Sequence, residues 1–211
     1  MRNTKLIKKK IIIREIVNNI SSKELDAISD MVKSENFESI LSNLNKKIIK
    51  KYLKTAVNFK DSYIFVLLKG HIIIGYALYF KRETDIFKKF SSLKFEIITD
   101  LILRFKTLVL FNIFLAVTKL DQLMNLKKKE KRNYVNLNLL ALKKEYQSKG
   151  YGKFLIESSV KKIKKKDAKI NKIICEAPSK RVLKFYLKNN FDIIGKKLRL
   201  FRIFYVLQKR I

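Results

Sequence analysis

The fold of this 211-residue chain is decided by one stretch, NLLALKKEYQSKGYGKFL at residues 138–155. An apolar strand passes into a short polar turn that holds two of the chain's five glycines, and a helix follows. Glycine lets the backbone approach an anion closely, and the free N–H groups and dipole of a helix start favour negative charge. The stretch therefore predicts a strand–turn–helix phosphate cradle, with Lys149 and Lys153 adding positive charge. The alternative is a strand–helix connection that needs glycine only for its turn.

The elements on both sides of this stretch predict a layered domain of mixed α/β class. A capping-box pattern, Ser21 with Glu24, opens a helix that runs to about Lys33. The remaining expected elements are strands at Ile11–Val17, Tyr63–Lys69, Ile72–Phe80, Tyr134–Leu142, Lys172–Ala177, Phe191–Leu198 and Phe201–Leu207, and helices at Phe37–Val57, Gly152–Lys166 and Ser179–Asn189.

We expect a single domain over residues 1–211, because no Ser/Gly-rich linker or internal repeat divides the chain. Residues 84–133 read as a helical insertion between the third and fourth strands. Its uncharged run Thr107–Thr118 makes a helix of only about 18 Å, too short for the roughly 30 Å of a bilayer core, so no transmembrane segment is predicted. An apolar helix of this kind packs on its own domain, at a homodimer contact or on a membrane surface.

Composition limits the function classes. The single cysteine, Cys175, excludes an internal disulfide framework, and one histidine, His71, excludes a His-rich metal site, so no metal is expected. A reduced, cytoplasmic setting is the default. His71 is expected in an exposed hairpin turn and Cys175 as a small buried hydrophobe.

The net charge of +31 indicates either a polyanionic partner such as nucleic acid or a lysine-rich surface set by genome composition.

The cradle and a second segment carry a specific resemblance. The residues Leu140–Leu142 followed by Glu145–Gly152 resemble the acetyl-CoA signature of the GNAT acetyltransferase superfamily. The segment FYLKNNF at residues 185–191 is similar to that family's C-terminal Phe-Tyr-x-Lys-x-Gly-Phe motif. The resemblance covers most of the chain apart from the insertion. It implies a central mixed, mostly antiparallel sheet flanked by helices.

The resemblance also implies the site residues. Backbone N–H groups from Gln147 to Gly152 would hold the CoA pyrophosphate, and Leu140–Leu142 would pair with the pantetheine arm. Tyr186 matches the family tyrosine that acts as general acid and protonates the departing CoA thiolate. The alternative is a tyrosine that only packs in the core. The expected cofactor-binding residues are Leu140, Ala141, Leu142, Gln147, Ser148, Lys149, Gly150, Tyr151, Gly152 and Lys153.

Three departures from the family pattern bear on the acceptor side. Asn136 and Asn138 lie where some members carry a fourth-strand glutamate as general base, and asparagine cannot do that work. Ser179 replaces an asparagine, and Asn190 replaces a glycine in a turn that asparagine tolerates. The resemblance implies direct acetyl transfer from acetyl-CoA to a primary amine. The competing functions are a catalytically weak CoA-fold protein on nucleic acid or the ribosome, and a peripheral membrane enzyme of surface-sugar modification.

Overall fold

The computed structural model describes residues 10–35, 39, 41–81, 91–103, 133–199 and 202–211. Seven strands form one sheet in the order β1-β2-β3-β4-β5-β7-β6, and every neighbouring pair is antiparallel except β4 with β5. The strands are β1 Ile11–Ile16, β2 Ser62–Lys69, β3 Ile72–Lys81, β4 Tyr134–Leu142, β5 Lys172–Ala177, β6 Asp192–Arg199 and β7 Arg202–Arg210. The helices are α1 Ser22–Glu35, α2 Lys46–Val57, α3 Ser91–Leu103, α4 Tyr151–Lys166 and α5 Lys180–Lys188. This confirms the predicted mixed, mostly antiparallel sheet flanked by helices.

Two apolar cores lie on opposite faces of the sheet. One packs α1, α2 and α3 on the sheet, with Phe80, Leu139 and Ala141 among its strand residues. The other packs α4 and α5 on the opposite face, and Leu137 and Cys175 belong to it. The two faces of the sheet therefore carry different helices and different side chains.

The strands β4 and β5 form a fork. They pair in parallel only from Tyr134 beside Lys172 to Leu137 beside Cys175. Beyond that point β4 continues to Leu142 along β3, while β5 continues to Ala177 along β7. The β4 edge at residues 138–142 therefore has no partner on β5 and opens a gap in the sheet, which we call the fork.

A β-bulge sits on β4 at the start of the fork. Leu137 pairs with Tyr79 and Leu139 pairs with Leu78, so Asn138 is an extra residue without its own partner on β3. A bulge shifts the alternation of side chains by one residue. This explains why Leu137 lies in the α4/α5 core whereas Leu139, two residues later, lies in the α1/α2 core.

The capping box at the start of α1 is confirmed. Glu24 accepts hydrogen bonds from the Ser21 N–H at 2.9 Å and from its hydroxyl at 2.7 Å, and the Glu24 N–H donates to Ser21 Oγ at 3.3 Å. The second helix was predicted too long, because α2 begins only at Lys46 and a short 3₁₀ turn occupies Leu41–Asn43. The Asn45 side chain accepts from the Lys47 N–H at 3.1 Å and starts α2 there.

The insertion is described only in part. The helix α3 lies within it, while residues 84–90 and 104–132, including the apolar run 107–118, are outside the described residues. Leu93 and Ile97 of α3 are buried in the α1/α2 core, and Glu96 pairs with Lys51 at 2.6 Å. Among the helices that the structure describes, none is both long and apolar enough to cross a membrane.

Candidate active site

The turn between β4 and α4 presents backbone donors at a helix start. Gly150 has a φ of +82° and Ser148 a φ of +58°, so the chain reverses through left-handed conformations before the helix. The Phe154 N–H donates to the Gly150 carbonyl at 3.1 Å and closes the first turn. The N–H groups of Tyr151, Gly152 and Lys153 precede that bond and point out of the helix end. Together with the helix dipole they form a cradle suited to an anion.

The two glycines of the turn serve different purposes. A Cβ atom at Gly150 would meet nothing within 4 Å, so this glycine is required by its positive φ and leaves open space at the helix start. A Cβ atom at Gly152 would lie 3.1 Å from the Phe185 ring. Gly152 therefore lets α5 pack closely against α4, and it ties the glycine signature to the Phe-Tyr motif in space.

Gln147 lies in the turn but makes different contacts from those expected. Its backbone N–H already donates to the Lys144 carbonyl at 3.2 Å. Its side-chain amide donates to the Leu142 carbonyl at 2.9 Å and to the carboxylate of Glu35, at the end of α1, at 2.7 Å. Gln147 thus joins α1 to the end of β4. The donors that remain for an anion come from the residues after it.

Lysines and tyrosines surround the exposed turn. Lys69 Nζ lies 5.2 Å and Lys149 Nζ 6.0 Å from the centre of the Tyr146 ring, and the Tyr146 and Tyr151 rings are 6.2 Å apart. Lys153 is exposed and lies 3.9 Å from Glu157. Positive charge therefore adds to the backbone donors at this end of the sheet.

Residues 140–142 lie along the open edge of β4. Leu140 and Leu142 are partly buried against the α4/α5 core, and Ala141 is buried on the other face. Gly75 on β3 faces this segment, because a Cβ atom there would collide with the Leu142 side chain and lie 2.9 Å from the Ala141 carbonyl. The fork edge is thus held from the β3 side, and residues 138–142 have no strand partner on β5.

Tyr186 lies in the packed interior beside the closed end of the fork. Its ring contacts Phe185 and Phe191, with ring centres 5.2 and 5.0 Å away. Burial raises the pKa of the Tyr186 phenol well above its usual value, with further contributions from the neighbouring Cys175 and Tyr79. Its hydroxyl lies beside Cys175, the last β5 residue that pairs with β4. The phenol therefore stays protonated and stands where the two strands separate.

The other candidates from the sequence fall as follows. His71 is exposed in the β2–β3 turn and Cys175 is buried, as predicted. Asn190 has a φ of +61° in the turn after α5, so asparagine does replace glycine there. Ser179 caps α5, with its hydroxyl 3.5 Å from the Val182 N–H. Asn138 accepts a hydrogen bond from the Tyr52 hydroxyl at 3.3 Å, on the α1/α2 face of the fork.

Comparison with known proteins agrees with this geometry. The sequence model of the Acetyltransferase (GNAT) family matches residues 33–191. The chain belongs to the GNAT acetyltransferase family. By family it is therefore an acyl-CoA-dependent N-acetyltransferase. The family predicted from the sequence is confirmed. A search of curated protein sequences finds no match.

Several solved structures share this GNAT fold at low sequence identity. The PaiA N-acetyltransferase from Thermoplasma acidophilum, in complex with coenzyme A, is 16% identical with a TM-score of 0.53, over 96% of this chain and 99% of that chain. Ard1 from Thermoplasma volcanium is 11% identical with a TM-score of 0.58, over 95% and 97%. The aminoglycoside acetyltransferase AAC(6')-Ib, also in complex with coenzyme A, is 11% identical with a TM-score of 0.60, over 95% of both chains.

Sequence reasoning missed two features of the site. One is the bulge at Asn138. Its signal is present in the sequence, because the alternation of Tyr134–Leu137 gives way to the apolar run Leu139–Leu142. The other is the side-chain bridge from Gln147 to Glu35, which joins residues 112 positions apart and has no local signature.

Proposed function

We propose that this protein transfers the acetyl group of acetyl-CoA directly to a primary amine. One observation carries the proposal: the part of β4 that runs beyond its pairing with β5 leads into the anion cradle at the start of α4. An extended pantetheine arm can pair with that edge as an added strand while the pyrophosphate meets the helix start. The thioester then lies inside the fork, where Tyr186 is close by.

Each site residue expected from the sequence has a role in this proposal. Backbone N–H groups of Ser148, Lys149, Gly150, Tyr151, Gly152 and Lys153 surround the pyrophosphate, and Gln147 holds the turn against the end of β4. Leu140, Ala141 and Leu142 supply the paired edge. A backbone N–H on β4 stabilises the oxyanion that forms when the amine attacks the thioester carbonyl. Tyr186 gives its proton to the departing thiolate.

The acceptor class is open among small amines, amino sugars, protein N-termini and lysine side chains. Neither the nucleic-acid function nor the membrane function has a specific observation in its favour, so neither is proposed. The cytoplasmic location, the homodimer and the single domain over residues 1–211 stay predictions from the sequence.

The test is amine-dependent turnover of acetyl-CoA. Purified protein is incubated with acetyl-CoA and, in turn, spermidine, kanamycin, a peptide with a free N-terminus and an N-blocked peptide with one lysine. We expect at least one amine to speed the release of CoA thiol and to appear in acetylated form by mass spectrometry. Thiol release that no amine accelerates, in protein that binds acetyl-CoA, contradicts the proposal.

A further inference from the structure

We infer that Glu35, at the end of α1, is a positioning residue for acetyl-CoA that acts through Gln147. The inference rests on the proposed acetyl transfer and names a residue outside the cradle that sets the affinity for the acyl donor. The observation that carries it is a pair of hydrogen bonds from the Gln147 side chain to α1 and to β4, which we call the Gln147 bridge.

The turn before α4 has a backbone conformation that needs support from its surroundings. Ser148 has a φ of +58° although it carries a Cβ atom, and Gly150 follows at +82°. A side chain in the left-handed region costs free energy, and such a residue persists where the neighbouring structure holds it. Gln147 directly precedes Ser148, so the contacts of Gln147 bear on this conformation.

The Gln147 bridge uses both protons of the side-chain amide. The amide nitrogen donates to a carboxylate oxygen of Glu35 at 2.7 Å and to the Leu142 carbonyl at 2.9 Å. Both partners are acceptors, so the nitrogen has to face them and the orientation of the amide is fixed. A hydrogen bond to a charged partner is also stronger than one between neutral groups. The start of the turn is thereby attached to a helix on one side and to a strand on the other.

The end of α1 is a fixed support for the Glu35 carboxylate. Val32, one turn earlier, is buried in the α1/α2 core. Lys33 Nζ donates to the carbonyls of Ser42 and Leu44 at 3.0 and 2.8 Å, which ties this end of α1 to the segment before α2. The position of Glu35 therefore depends on the core and not on the turn that it contacts.

Neither helix stability nor charge pairing explains a carboxylate at the end of α1. The carboxyl end of a helix carries partial negative charge, so a carboxylate in its last turn is unfavourable. Other carboxylates nearby, such as Asp26 and Glu96, form ion pairs with lysines of α2. Among the described residues, Glu35 instead contacts the Gln147 amide and, at 3.4 Å, the Ser34 hydroxyl. Its shortest hydrogen bond is thus the one to the cradle turn.

The Gln147 bridge acts on affinity through the population of the binding-competent turn. The N–H groups of residues 148–153 converge on an anion only while the turn keeps its conformation. When only a fraction of the molecules is competent, the apparent dissociation constant rises by the inverse of that fraction. Removing the Glu35 acceptor therefore weakens the binding of acetyl-CoA and leaves the chemical step of the bound donor unchanged.

Electrostatics alone predicts the opposite sign. Acetyl-CoA is a polyanion, so the loss of a negative charge near the cradle favours its binding. The direction in which the affinity changes in Glu35→Ala therefore separates a positioning role from a charge effect.

The experiment measures the dissociation constant of acetyl-CoA by titration calorimetry on the full chain. We expect Glu35→Ala to raise it by roughly 10-fold, as for the loss of a hydrogen bond to a charged group. The kcat with the best amine, at saturating acetyl-CoA, stays near the wild-type value. Glu35→Gln keeps an acceptor oxygen for Gln147 and retains most of the affinity. Glu157→Ala removes an exposed carboxylate from α4; as the charge control, it leaves the affinity unchanged or higher.

A second substitution breaks the Gln147 bridge from its other side. Gln147→Met has a side chain of similar length without a donor, and we expect it to weaken binding at least as much as Glu35→Ala. In the Gln147→Met background, Glu35→Ala adds no further loss, because the two substitutions remove the same contact. The melting temperature without ligand shows whether each variant folds, and Glu35→Leu takes the place of Glu35→Ala if that variant does not.

The outcomes separate the inference from the proposed function. Weaker binding in Glu35→Ala and in Gln147→Met, without addition in the double variant and with kcat kept, supports the inference. Unchanged or tighter binding in Glu35→Ala overturns it, and so do losses that add or a fall in kcat with the affinity kept. A wild-type protein that binds no acetyl-CoA contradicts the proposed function and the inference with it. A wild-type protein that binds acetyl-CoA but acetylates no amine contradicts the function alone, and the affinities still decide the inference.

Discussion

At the scale of single residues, Tyr186 combines two properties that are usually separate. It is a core residue by packing, with aromatic contacts on both sides. It also lies beside Cys175, where β4 and β5 separate, which is the position that the proposed proton donor needs. The structure shows the packing of Tyr186, and the general-acid role stays a prediction that needs a chemical test.

Replacing Tyr186 with phenylalanine tests its chemical role. Tyr186→Phe keeps the ring and its contacts and removes only the proton donor. We expect turnover to fall by about 10²–10⁴-fold while the affinity for acetyl-CoA stays nearly unchanged. Steady-state rates with the best amine, together with a titration of acetyl-CoA, give both quantities. Equal turnover in the two proteins, with the chemical step shown to limit the rate, returns Tyr186 to the core alone.

The sequence predicts residues of the site when their role is set by the local backbone. Gly150 and Asn190 were expected at positions that require unusual backbone angles, and both have positive φ values. The gap between β4 and β5 was not predicted, because it depends on where β4 stops pairing with β5. That point is a property of sheet geometry across residues nearly 40 positions apart, which no local pattern encodes.

At the scale of elements, the strands and helices near the cradle follow their sequence patterns closely. The predicted bounds of β4 and β5 agree with the structure, and α4 begins one residue earlier than expected. The helix predicted at Phe37–Val57 was too long. Its apolar residues keep a helical spacing through Asn45, whereas the Asn45 side chain caps a new helix that begins at Lys46. The hydrogen bond of the capping side chain, and not the spacing of apolar residues, therefore sets where this helix begins.

The helix α3 offers a test of whether the insertion belongs to the core. Ile97 is 9% exposed and packs in the α1/α2 core, whereas Ile102 on the same helix is 55% exposed. We expect Ile97→Ala to lower the free energy of unfolding by about 2–5 kcal/mol. Ile102→Ala should change it by less than about 0.5 kcal/mol. Urea denaturation of both variants measures the difference; similar losses would mean that α3 packs in another way.

At the scale of the whole molecule, the proposed site gives the charge of +31 a use. CoA is a polyanion, and at the proposed site its phosphates would meet the lysine-rich end of the sheet around Lys69, Lys149 and Lys153. The charge can therefore raise affinity for the acyl donor without any nucleic-acid partner. Much of the remaining lysine is then a solvated surface, as genome composition alone would give.

The salt dependence of donor binding tests this use of the charge. We expect the affinity for acetyl-CoA to fall as NaCl rises from about 0.05 M to about 0.5 M, because salt screens exposed charges. Lys149→Gln should weaken binding at low salt and flatten the dependence. Titration calorimetry at several salt concentrations provides the slopes. An affinity that does not change with salt would show that the lysines play no part in binding.

The central claim is that the turn at residues 148–153 holds the pyrophosphate of acetyl-CoA, and two substitutions at Gly150 test it most directly. Gly150→Ala and Gly150→Asp both put a Cβ atom at a φ of +82°, in a place with room for it, and aspartate tolerates this backbone at least as well as alanine. Only aspartate adds a negative charge where the pyrophosphate lies. The measurement is the rise in melting temperature on adding acetyl-CoA. We predict that the rise persists in Gly150→Ala and disappears in Gly150→Asp; an unchanged rise in Gly150→Asp would contradict this placement of the site.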